Sequence, residues 1–118
     1  MLWRWLPVII CMIGIYVGAS IPEPPVPADV TDVSLHEAGY LVLTLLVIRA
    51  LAKQTWHGVT AATMFRGWVV AVLHGASVEW LQAYLPWRHA EVGDLIADAT
   101  GACAAVIVVG AWSIIRRL

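Results

Sequence analysis

Asp32, His36 and Tyr40 recur at intervals of four, the spacing that places side chains on one face of an α-helix. Gly75, Glu79 and Gln82 share a face in the same way further along, and so do Asp94, Asp98 and Gly101. Three stretches therefore each carry an acidic or hydrogen-bonding stripe. A carboxylate-plus-imidazole set of this kind supports two chemistries. Asp32, Asp94 and Asp98 offer the oxygen donors that a divalent cation takes. His36 and Glu79 offer a general acid–base pair, or a ligating one. Gln82, Tyr40 and Arg88 are the candidate groups for holding a bound molecule, with Arg88 the expected counter-charge to the acids. A structural ion-pair network with Arg88 is the competing explanation. No Ser or Cys shares these faces with a partner base, which argues against a covalent acyl-enzyme.

Single residues have plainer explanations. Asp94 follows Gly93 where a helix is expected to start, a good N-cap position, and Asp32 is placed to cap in the same way. Gln82 can hydrogen-bond across helices. His74 falls off the Glu79 face and is expected to be a packing histidine. His36-Glu37 is not part of a zinc-protease motif, because position 40 is Tyr. Glu79 resists such explanations. A carboxylate that far into an apolar run needs a partner, a proton or a metal.

The elements that must position these residues follow from composition. Hydrophobic residues make up 61% and charged residues 13% of the 118 residues, with a mean hydropathy of +0.82. Ordinary globular domains have roughly 45–50% and about 25%. A short chain buries the smallest fraction of its surface, so lipid is the natural solvent. Charges bracket four apolar runs, at about 5–21, 35–52, 65–85 and 95–115, each near the ~20 residues a membrane-crossing helix needs. Backbone polar groups in lipid must pair internally, which favours helices. The expected fold is an all-α membrane protein: one domain over residues 1–118, built as a bundle of four transmembrane helices. The proline-rich segment at about 22–34 is expected to run extended, and Pro86 to end the third helix. Arg4 before an apolar run has the outline of a signal peptide, but Gly18-Ala19-Ser20 is a poor cleavage site. The run is therefore expected to stay as the first helix.

Arg4, Arg49, Lys53, Arg66, Arg116 and Arg117 fall at one set of helix ends, and Arg88 alone at the other. By the positive-inside rule both termini are cytoplasmic. Of the net charge of −1, the six basic residues give +6 on one side, and eight acids with Arg88 give −7 on the other. Trp3, Trp5, Trp56 and Trp112 fall near the inner boundary and Trp87 near the outer one, as membrane-interface aromatics do. That balance excludes a basic nucleic-acid binder, and two cysteines exclude a disulfide scaffold. Cys11 and Cys103 are expected to be small buried apolar residues. Gly14/Gly18, Ala71/Gly75 and Ala97/Gly101/Ala105 have the spacing that lets helices approach closely in lipid. Contacts inside the bundle are the expected use, with homo-oligomer formation as the alternative.

The ordered pattern Asp32-x3-His36-x3-Tyr40, Glu79-x2-Gln82-x3-Pro86-x-Arg88, Asp94-x3-Asp98-x2-Gly101 resembles the VanZ-like family of bacterial membrane proteins, over residues 32–105. Two positions depart from that family. Val33 stands where Lys is usual, and Asp98 where Asn is usual, so this chain is more acidic at the site and more inclined to a cation. The resemblance implies a multi-pass protein of the bacterial cytoplasmic (inner) membrane. Its outward-facing polar pocket would act on, or bind, a lipid-linked or polysaccharide component of the cell envelope, with a link to glycopeptide antibiotic tolerance. The alternative is a non-catalytic accessory or scaffold subunit of an envelope or exopolysaccharide assembly. Ion conduction is less favoured, since the inner half offers only His74 as a polar stepping stone.

Overall fold

The computed structural model describes residues 2–22, 32–53, 55–88 and 90–118, with Asp32 described by its backbone only. Four helices form the bundle: α1 (Leu6–Ser20), α2 (Asp32–Leu51), α3 (Ala61–Gln82) and α4 (Val92–Arg117). Short 3-10 turns at Leu2–Trp5 and Trp56–Gly58 precede α1 and α3. All four helical stretches are long and apolar enough to cross a membrane. The molecule measures 50 × 30 × 23 Å, and its long axis compares with the ~40–45 Å of a bilayer with its head groups. Most of the proline-rich segment, including Glu23 to Thr31, lies outside the described residues.

Local chemistry sets the helix ends. α1 starts with Pro7 in its first turn, where the missing N–H costs nothing. It stops at Ile21, which is extended (φ −81°, ψ 146°), as the residue before a proline prefers. α2 begins at Asp32, so residues 32–34 are helical and not part of the extended connection. α3 begins at Ala61, ahead of the apolar run, because Thr60 and Thr63 form a capping box. Thr60 Oγ1 accepts the Thr63 N–H at 3.2 Å, and Thr63 Oγ1 accepts the Thr60 N–H at 2.8 Å. α3 ends at Gln82, short of Leu85. A proline ring clashes with the carbonyl four residues back, which here is Gln82. The chain tightens before it, with Tyr84 N–H donating to Leu81 O at 3.0 Å and Leu85 N–H to Gln82 O at 3.1 Å. α4 starts at Val92 with Glu91 as N-cap. Asp94 is therefore inside the first turn and is not the cap.

The helices alternate in direction. At one end Trp56 meets Trp112 edge-to-face at 6.4 Å, and Arg116 lies 5.0 Å above the Trp112 ring while contacting His57. At the other end lie the start of α2, the end of α3 and the start of α4. The most extensive contact joins α2 and α4. Gly101 allows it: a Cβ there would collide with the backbone carbonyl of Glu37. Gly67 likewise faces Ile48, whose Cγ1 would lie 2.5 Å from an added Cβ. Tyr40, Leu43, Val47, Ala50, Ala71 and Ala102 fill the centre with Val8.

Small residues of α3 and α4 pack as expected, since Ala71, Gly75, Ala97, Gly101 and Ala105 are all buried. Gly14 and Gly18 do not, because a Cβ on either would meet nothing within 4 Å. Val8 is the one buried residue of α1, so this helix lies at the edge of the bundle. Cys103 is exposed and not buried, and Cys11 is intermediate. Cys103 faces outward from α4 and accepts a hydrogen bond from Trp68 Nε1 at 3.2 Å.

Candidate functional site

His36 in the second turn of α2 and Asp98 in the second turn of α4 are 62 positions apart, and they meet at 2.5 Å. His36 Nδ1 donates to Asp98 Oδ1. On the other side of the ring, Nε2 lies 3.8 Å from Asp94 Oδ2, one helical turn before Asp98. Asp98 is fully buried, while the His36 side chain keeps 17% of its exposure. A buried carboxylate on one ring nitrogen fixes the tautomer and aim of an imidazole and leaves the other nitrogen available.

Glu79, in the last two turns of α3, joins this pair. One ligating atom from each of His36, Glu79 and Asp98 lies within 4.8 Å of the others, a geometry compatible with a divalent cation. The cluster differs from the cation set expected from sequence, Asp32, Asp94 and Asp98. Of those three acids the cluster keeps Asp98, and it adds His36 and Glu79, the pair that the sequence offers as acid–base or ligating groups. Asp94 sits beside His36 at the edge, and the Asp32 side chain lies outside the described residues. Glu79 Oε2 also accepts the Glu91 N–H at 3.0 Å. It thereby supplies from a neighbouring helix the bond to the N-cap amide that a capping box makes within one helix. Negative charge is favourable at that end of the α4 dipole. The other oxygen, Glu79 Oε1, is buried without a hydrogen-bond partner, as is Asp98 Oδ2.

Arg88 is not the counter-charge to these acids. Its Nε donates to Ile21 O at 3.1 Å and its Nη2 to Gly18 O at 3.0 Å. Gln82 Nε2 donates to Ala19 O at 3.1 Å, and Trp87 Nε1 to Ser20 O at 2.6 Å. The final carbonyls of a helix have no partner within it, and here three side chains from the end of α3 and the loop beyond satisfy them in trans. By sequence Trp87 is an interfacial aromatic and Arg88 a counter-charge, but nothing there pairs them with α1, which is over 60 residues away.

Tyr40 is buried, and its hydroxyl meets His74 Nδ1 at 2.9 Å. His74 also packs edge-on against Tyr16 at 4.8 Å, and Tyr16 hydroxyl contacts Ser77 Oγ. His74 is thus the packing histidine its position suggested. A cavity of about 220 Å³ opens between the end of α1, the start of α2 and the end of α3. Ile15, Gly18, Leu35, Gly39 and Val78 give it apolar walls, while His36, Tyr40, Gln82 and Arg88 bring polar groups. The candidate binding residues therefore do converge, although each of the last three also holds the fold together.

Compared with protein-family models, with curated proteins and with solved structures, the chain matches none of them. Fold and site together define a helical, apolar, membrane-compatible protein with a buried His–Glu–Asp cluster suited to a ligand or a metal.

Proposed function

We propose that this is a VanZ-like protein of the bacterial cytoplasmic membrane. In this reading the end carrying His36, Glu79 and Asp98 faces outward, and its cavity receives the head group of a lipid-linked or polysaccharide envelope component. The observation that carries the proposal is His36 at the cavity wall, held from behind by the buried Asp98 at 2.5 Å. Asp98 orients the imidazole, and His36 Nε2 is then the group that takes or gives a proton on the occupant. Glu79 and Asp94 set the local charge. A volume of about 220 Å³ is below the ~300–1,000 Å³ of drug-sized sites. It suits part of a head group, with the rest of the molecule in lipid. The charge partition of the sequence supports the orientation.

One observation favours a non-catalytic scaffold role instead. Glu79, Gln82 and Arg88 each spend hydrogen bonds on the end of another helix, which is what helix register alone would require.

Complementation of a strain lacking the protein separates these readings. His36→Ala and Asp98→Ala, the latter removing the acceptor that orients the imidazole, should abolish its effect on glycopeptide tolerance and envelope integrity while membrane abundance stays at wild-type level. Loss of abundance in both variants would favour the scaffold. Full complementation at normal abundance would overturn the pocket reading.

A further inference from the structure

We propose that His36, Glu79 and Asp98 bind one divalent first-row transition cation of the zinc type. The site uses residues of the pocket just described, but its test involves no envelope phenotype, so either reading can fail alone.

Spacing is the first argument. With bonds of about 2.0–2.2 Å, donors around a four-coordinate ion lie roughly 3.3–3.6 Å apart. The three donor atoms here are within 4.8 Å of one another, so side-chain rotations of roughly an ångström close the set. The second argument concerns buried oxygens. Glu79 is 9% exposed and Asp98 0%, yet Glu79 Oε1 and Asp98 Oδ2 have no hydrogen-bond partner. A buried acceptor left unpaired is costly, and a cation satisfies both at once. Charge is the third. Among the described residues neither carboxylate forms an ion pair with Lys or Arg, and Arg88 is engaged by the carbonyls of α1.

The donor set names the class of ion. One imidazole with two carboxylates suits zinc or its first-row neighbours better than magnesium or calcium, which prefer oxygen alone. A histidine whose second nitrogen faces a carboxylate is the usual arrangement around such ions; with Nδ1 on the Asp98 side, His36 Nε2 lies 3.8 Å from Asp94 Oδ2. Three protein donors fall short of the four that zinc takes. The remaining position goes to water, or to an oxygen of whatever enters the cavity beside His36.

The full chain, purified in detergent micelles and stripped with a chelator, would be titrated calorimetrically with Zn²⁺ alone. One saturable equivalent per chain is expected. Glu79→Gln and Asp98→Asn retain acceptors for the Glu91 N–H and His36 Nδ1, so the bonds that hold the helices survive. Each should weaken binding by at least about tenfold, while Glu91→Gln, at an exposed position, should leave it unchanged. Titration of the wild type with Co²⁺ alone should develop the intense visible bands of a four- or five-coordinate nitrogen–oxygen site, which does not depend on any variant folding. No saturable Zn²⁺ binding by the wild type would overturn the assignment. So would affinity unchanged in both amide variants, or a Co²⁺ spectrum no different from the aqueous ion.

Discussion

Gly75 on α3 makes the space in which Asp98 of α4 sits. A Cβ at position 75 would lie 2.7 Å from Asp98 Oδ2 and 3.2 Å from its Cβ and Cγ. The buried carboxylate therefore depends on a glycine that carries no chemistry. Gly75→Ala should push Asp98 away from His36, costing about 1–3 kcal/mol as overpacking does, and should weaken Zn²⁺ binding along with it. Gly14→Ala, which adds a methyl group to open space, should be neutral or stabilise α1 by up to about 1 kcal/mol. Thermal midpoints of the two variants in one detergent check this, and equal midpoints would contradict it.

At Gly101 the obstacle is backbone. An added Cβ would meet the carbonyl of Glu37, with its Cα and carbonyl carbon 2.9 Å away. No side chain can swing aside, so α2 and α4 would have to separate. Gly101→Ala should cost more than Gly75→Ala, at or above about 3 kcal/mol. Reduced folded yield by size-exclusion chromatography is the expected readout.

Arg88 should act on α1 before it acts on any ligand. Arg88→Ala leaves the carbonyls of Gly18 and Ile21 without their donors, at about 1.5–3 kcal/mol for hydrogen bonds to a charged group. Hydrogen exchange should quicken over residues 15–21 and remain unchanged in the centres of α2 and α4. Arg88→Lys should restore only part of the protection, since an ammonium cannot reproduce the two-pronged reach of a guanidinium. Full protection with lost envelope function would instead make Arg88 a binding residue.

Tyr40→Phe isolates the packing histidine. It removes the hydroxyl that meets His74 Nδ1 at 2.9 Å and leaves His36, Glu79 and Asp98 untouched. A loss of about 1–2 kcal/mol in stability is expected, the usual result of removing one partner of a buried hydrogen bond. Zn²⁺ affinity should stay within about twofold of wild type. A larger fall would mean that Tyr40 belongs to the cation site.

Membrane orientation is open to direct measurement. Reporter fusions after Pro27 and after Lys53 should report opposite sides, with the first outside and the second cytoplasmic. A cytoplasmic signal at Pro27 would place the His36 end inward.

Much of this molecule is written locally in its sequence. Four apolar runs between charges fix four helices, because lipid-compatible backbone must pair with itself. The i, i+4 spacing puts Asp94 and Asp98 on one face, and the short connection from Gln82 to Val92 keeps α3 beside α4. Helix ends were less legible, since the Thr60–Thr63 capping box lies outside the apolar run it begins. The partners of each polar residue could not be read at all. Arg88 looks like a counter-ion by charge alone, yet it caps α1. By spacing Asp94 and Asp98 are both oxygen donors, with a cap as the plainer role for Asp94, but α4 starts early enough to put both inside, one turn apart beside His36. Which of several acids meets a given histidine depends on helix rotation and axial offset. Those are set by close approaches such as Gly75 on Asp98 and Gly101 on Glu37, contacts between residues far apart in the chain. The sequence by itself thus determined the apolar, membrane-compatible character, the helices and the end of the bundle where polar groups gather. Only tertiary packing decided that His36, Glu79 and Asp98 share one site.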